Sequence, residues 1–188
     1  MKHPPLILAS QSPRRIELLR QVISEFGVIA SYAAELSDPD LPPRRLCEVN
    51  AQRKAFAVAE RYPRHLVLGA DTLVFLDSKP LGKPADQNEA HDMLARLAGR
   101  IHEVITGVCL VSQAAARVKM FSDVTRVKFR SLSSDEINGY LGKVNVLDKA
   151  GAYAIQEEGC ILVERIEGSF SNVVGLPVES VRAALAAW

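Results

Sequence analysis

Residues 66–77, LVLGADTLVFLD, constrain the fold of this chain more than any other stretch. Nine of these twelve residues are apolar or Gly, and β-branched residues and Phe are among them. Such a run predicts a strand buried on both faces, or two strand segments meeting at Gly69. Asp71 sits in the middle, followed by Thr72. A carboxylate there costs several kcal/mol to desolvate unless a positive group comes to it. Two roles are open to Asp71. It pairs with one buried Arg or Lys and holds the fold, or it faces a cleft and there holds a metal ion or acts as a base.

A chain of 188 residues suits a single domain over residues 1–188, with room for two lobes and a real core. Its 48% hydrophobic and 24% charged residues are close to the average of globular proteins. The net charge of +1 gives no electrostatic case for nucleic acid or an anionic membrane. Phosphate binding, if present, must come from local placement of basic groups. No apolar run approaches the ~20 residues of a transmembrane helix. The opening MKHPPLILASQSPRR is a poor signal peptide, with two prolines before its short apolar core and arginines directly after it. Cys47, Cys109 and Cys160 fit no metal-ligand spacing and read as reduced thiols, which points to the cytoplasm. His3, His65, His91 and His102 form no ligand pair and read as surface or structural.

Along the chain, strands and helices alternate. Residues 6–9 predict a short strand, followed by a helix with Ser12 as N-cap and Pro13 at its first position. Arg14 and Arg15 in that first turn carry the wrong sign for the helix dipole. The arrangement makes sense if an anion arrives between backbone N–H groups and guanidinium forks; otherwise the arginines point to solvent. A second strand is expected over residues 26–33, a Pro- and Asp-rich loop over 35–45, and a helix over 46–61. Gly82-Lys83 resembles the end of a phosphate-binding P-loop, but the upstream glycine spacing and a following Ser or Thr are missing, so that motif is rejected. Capping patterns at Asp86 to Glu89 and Ser133 to Glu136 open two further helices. Long strands at 102–112 and 118–130 are expected to form an antiparallel hairpin. A strand at 160–166, a polar loop at 167–172 and a final helix from Pro177 complete the chain. The pattern predicts an α/β fold with a mixed sheet.

Six stretches, in order and spacing, resemble the Maf (septum-formation-inhibitor) family of nucleoside triphosphate pyrophosphatases. They are LASQSPRR (8–15), LGADT (68–72), LGKP (81–84), ITG (105–107), DKAGAYAIQ (148–156) and IEGSFSNVVGLP (166–177). The resemblance implies a twisted mixed sheet flanked by helices, with a cleft between two lobes, like the inosine-triphosphate pyrophosphatase group. It implies cleavage of a nucleoside triphosphate to the monophosphate and pyrophosphate with a divalent metal cation, Mg²⁺ or Mn²⁺. By that resemblance Asp71 is the catalytic acidic residue. Ser10, Arg15, Lys54 and Lys83 match phosphate-binding positions, Arg14 among them as well, and Asp71 with Glu35 matches the metal positions. Arg14, Thr72 and Gln156 match the three specificity positions of the branch that prefers dTTP and UTP. Departures from the family pattern are Glu157-Glu158 after Gln156, where Gly is common, and a loop after Glu35 that lacks a frequent glycine. The partners implied are the nucleotide, neither nucleic acid nor membrane, and a second copy of the chain in a homodimer. A house-cleaning enzyme is the reading favoured over a nucleotide-binding regulator of cell division, because acidic and basic cleft residues are both present and a pure binder needs no Asp71.

Overall fold

The computed structural model describes residues 4–38 and 40–188; His3 lies outside them. The chain opens with β1 (Leu6–Leu8) and α1 (Pro13–Arg20). Helix α1 starts as predicted, with the Ser12 hydroxyl accepting from the Arg15 N–H at 3.4 Å and Pro13 in the first turn. Next come β2 (Gly27–Val28), α2 (Pro43–Ala59), β3 (Leu66–Leu76), β4 (Lys79–Leu81) and α3 (Gln87–Leu97). The long hairpin β5 (Ile101–Ser112) and β6 (Arg117–Phe129) precedes α4 (Ser134–Leu141), which carries the complete Ser133/Glu136 capping box. The chain ends with α5 (Gly159–Leu162), β7 (Val163–Glu167), α6 (Phe170–Val174) and α7 (Val178–Ala186).

The strands form one seven-stranded mixed sheet in the order β2-β1-β3-β5-β6-β7, with β4 also on β3. β1 is parallel to β2 and β3; the other pairings are antiparallel. The stretch around Asp71 is therefore one continuous strand, not two meeting at Gly69. Along one side β3 is paired with β5 from Val67 to Phe75. Along the other, β1 covers only Leu66 to Leu68 and β4 only Val74 to Leu76. Residues 69–73 are left without a strand partner on that edge, and Asp71 and Thr72 lie in this gap.

Alternation along β3 sends Val67, Gly69 and Asp71 to one face and Leu68, Ala70 and Thr72 to the other. On the first face α2 lies so close that a Cβ on Gly69 would be 2.4 Å from the Ala51 carbonyl oxygen. A Cβ on Gly107 of β5 would be 2.3 Å from the Cys47 carbonyl carbon. The two glycines, with Ala51 and Ala55 facing them, let helix backbone rest on strand backbone. The second face carries two separate apolar clusters. One joins Leu8, Leu18, Leu19 and Leu68 to Val181; the other joins Val74, Leu94, Leu97, Phe129 and Tyr140.

Four elements differ from expectation. The strand at 26–33 shrinks to two residues, because Phe26 and Ile29 pack on different clusters and only one more backbone bond, Ile29 N–H to the Leu8 carbonyl, extends the pairing. Residues 160–162 are the helix α5 instead of strand: Gly159 and Leu162 are buried while Cys160 between them is exposed, a helical spacing that a short apolar run conceals. The polar loop at 167–172 ends in α6, whose start Ser169 caps by accepting from the Asn172 N–H. The helix expected from residue 46 begins at Pro43, since Pro needs no N–H in the first turn.

Candidate active site

The gap in the edge of β3 opens into a cavity of about 650 Å³ between the two apolar clusters. Its walls come from the start of α1, the segment after β4, the 148–156 loop and the end of α6. Arg14, Arg15, Glu35, Lys54, Asp71, Thr72, Lys83 and Gln156 all line it, so the fold brings eight of the nine expected site residues together. Ser10 is the exception: it is buried beside the cavity, where its hydroxyl accepts from the Ser12 N–H at 3.2 Å and shapes the turn into α1.

Asp71 is 3% exposed. Its Oδ1 accepts from Lys54 Nζ at 2.6 Å, and the same ammonium reaches Glu35 Oε1 at 2.7 Å. Asp71 is thus paired inside the protein and also lines the cavity. Its Oδ2 is shielded from solvent and has no hydrogen-bond partner. Lys54 reaches this position because Ala55, the next residue of α2, packs on Gly69. Glu35 is set in place by Asn50, whose amide accepts from the Leu36 N–H at 2.7 Å and donates to the Leu36 carbonyl at 3.1 Å. Desolvation raises the Glu35 carboxyl, but the hydrogen bond and charge of Lys54, with Lys83 and Arg15, outweigh it and hold it below the usual value.

Arg15 is anchored by one backbone and one side-chain partner across the fold. Its Nε donates to the Gly175 carbonyl and its Nη2 to Thr72 Oγ1, each at 2.9 Å. Burial pulls its pKa down while Asp71 and Glu35 push it up, and a guanidinium stays charged under that balance. Gly175 has φ +133°, a backbone shape that side-chain-bearing residues rarely take, and it aims its carbonyl at Arg15. Arg14 faces Asp148 with Nη1 to Oδ2 at 3.7 Å. Lys149, almost fully buried, binds Asp148 at 2.9 Å and lies 3.7 Å from Glu157, fixing the loop that leads to Gln156. Lys83 stands exposed on the cavity rim.

An arrangement of this kind can hold a polyanion between cations from three segments, with the Asp71 carboxylate in the wall beside it. The carboxylates also suit a divalent cation. Among the described residues no group of three or more His, Cys, Asp and Glu could hold a metal by itself. The orphaned Asp71 Oδ2 and the partly exposed Glu35 instead match a hard cation held by one or two carboxylates and completed by phosphate oxygens. Asn50, Thr106, Asn172 and Gly175, which position the site, were not among the residues predicted. Only the four-residue helical spacing of Asn50 to Lys54 hinted at one of them. His102 is buried and structural as read: desolvation takes its pKa down to about 4, and its Nε2 lies 2.9 Å from the Tyr153 hydroxyl.

The family model for Maf-like proteins matches residues 5–188. A dTTP/UTP pyrophosphatase of Akkermansia muciniphila is 46% identical over 97% of this chain and 95% of its own length. One of Bacillus velezensis is 47% identical over 96% and 94%. The solved structure of the Staphylococcus aureus Ham1 protein superposes with a TM-score of 0.59 at 15% identity, covering 97% of this chain and 98% of the other. That likeness bears out the fold.

Proposed function

The chain belongs to the Maf-like protein family, and on that premise we propose that it is a nucleoside triphosphate pyrophosphatase acting on dTTP and UTP. Relatives bearing that name match nearly its whole length. The observation in the structure that carries the reading is Asp71, with one carboxylate oxygen unpartnered, in the lining of a cavity ringed by Arg14, Arg15, Lys54 and Lys83.

In this mechanism the triphosphate lies along the basic residues, with Arg15 and Lys83 taking charge-assisted hydrogen bonds to its oxygens. Asp71 accepts a proton from the water that attacks the α-phosphorus, and pyrophosphate leaves. Lys54 keeps Asp71 fixed and offsets the charge of both carboxylates. Asp71 and Glu35 would hold a divalent cation, which when bound supplies charge neutralisation at the phosphate oxygens. Little covalent chemistry is asked of the protein; positioned charge does most of the stabilising. Gln156 offers an amide donor and a carbonyl acceptor, which complement one carbonyl and the ring N–H of uracil or thymine. Arg14 and Thr72 share in base choice. A cytoplasmic house-cleaning role on normal or modified pyrimidine nucleotides goes with this chemistry. No helix of the described residues is long and apolar enough to cross a membrane.

The test is a panel of nucleoside triphosphates with purified protein and Mg²⁺ or Mn²⁺, read by pyrophosphate release. dTTP and UTP are expected to lead, with CTP and the purines well behind. Nucleotide binding without turnover of any member would instead support the regulator.

A further inference from the structure

Residues 29–38 lie in neither helix nor strand, yet Glu35 stands among them. Helix α2 supplies the order that this stretch lacks. Asn50, Arg53 and Lys54 share one side of the helix, and their side chains take hold of three consecutive residues. Arg53 Nε donates to the Ala34 carbonyl at 2.9 Å, and Lys54 Nζ to Glu35 Oε1 at 2.7 Å. Asn50 Oδ1 accepts from the Leu36 N–H at 2.7 Å, while its Nδ2 donates to the Leu36 carbonyl at 3.1 Å. Only one orientation of the amide makes both contacts, because an N–H must meet the oxygen and a carbonyl must meet the nitrogen. Asn50 is 2% exposed, so this two-point grip is withdrawn from water, whereas the Glu35 side chain is 52% exposed. The backbone on both sides of Glu35 is thus held from α2. The helix rests in turn on Gly69, two residues before Asp71 in β3, so the grip sets Glu35 relative to Asp71.

We propose that Asn50 is a positioning residue for a divalent cation: by clamping Leu36 it orders the Glu35 carboxylate that, with Asp71, holds the ion. This deepens the reading above, in which those two carboxylates take the cation, and rests on it. Asn50 is not among the residues that line the cavity, so it acts only through Glu35. Without the clamp, the entropy of ordering an irregular stretch is subtracted from cation binding. Partners that orient a metal-holding carboxylate are typically worth about 10–100-fold in metal affinity.

The probe is Mn²⁺, its Kd read from its paramagnetic signal and corrected for binding to nucleotide alone. The nucleotide is UTP with a methylene bridge between its α- and β-phosphorus, which is not cleaved there. Wild type, Asn50→Leu, Glu35→Gln and the double variant are compared. Leucine keeps the bulk of Asn50 and removes the grip. The Kd is expected to rise by roughly tenfold or more in Asn50→Leu and at least as far in Glu35→Gln. Combining the two should add no further rise, because Asn50 acts through Glu35. A lower melting temperature with an unchanged Kd makes Asn50 a structural residue only and overturns the proposal, as do losses that multiply in the double variant. A Kd that Glu35→Gln leaves unchanged removes Glu35 as a ligand, and this inference with it. The wild type supplies a check that needs no variant to fold. Its Leu36 N–H should exchange with solvent at least roughly tenfold more slowly than in an unstructured chain. Exchange at the unstructured rate overturns the proposal.

Discussion

Lys54 spends one ammonium on two carboxylates, 2.6 Å from Asp71 and 2.7 Å from Glu35. Its side chain is 13% exposed, so the pairing is largely withdrawn from water. Buried pairs of this sort contribute little net stability, but removing one partner leaves the other charge uncompensated. The pair is therefore better explained by placement: it holds Asp71 Oδ1 and leaves Oδ2 free. Asp71→Asn preserves the oxygen that Lys54 donates to and removes the ability to take a proton. Turnover of UTP is expected to drop by roughly 10²-fold or more, the scale of general-base catalysis, with the melting temperature near wild type. A steady-state assay and a thermal melt on the same preparation check both halves. Activity within about threefold of wild type would end the assignment of Asp71 as the base.

Helix α2 is the element on which the site depends, and what holds it to the sheet is an absence of side chains. Gly69 and Gly107 admit helix backbone at distances no Cβ would tolerate. Gly69→Ala forces α2 outward, at a cost of about 1–3 kcal/mol for overpacking. Asn50 and Lys54 ride on that helix, so kcat should fall together with stability; denaturant unfolding and kinetics on the variant measure both. A stable but inactive protein is not expected, nor a destabilised one with full activity. Helix starts were legible because they are local: Ser12-Pro13 and the Ser133/Glu136 box appear where the sequence places them. The long strands β3, β5 and β6 were legible from their continuous or alternating apolar residues. The short elements were not. A two-residue β2 and a four-residue α5 are decided by what packs against them, which no local pattern encodes.

At the scale of the whole molecule, the site exists because β1 and β4 share one edge of β3 and leave five residues of it open. Asp71 and Thr72 point to opposite faces of the sheet, yet both reach the cavity around that opening. The residue types of the site could be read from the chain and from its resemblance to a family. The opening could not, because it follows from the register of strands far apart in sequence. The same holds for Gly175, Thr106 and Asn172, each meaningful only through residues some 34 to 160 positions away. With a net charge of +1, the molecule sets Arg14, Arg15, Lys54 and Lys83 around this one opening, which fits a small polyanion better than a long one. The account's central claim is that water, activated by Asp71, attacks the α-phosphorus of UTP or dTTP. Turnover of UTP in heavy-oxygen water, with the products separated by mass, tests it directly. The account predicts UMP and pyrophosphate in equal amounts, with the heavy oxygen on UMP alone. Heavy oxygen in the pyrophosphate, or UDP with orthophosphate as products, would contradict it.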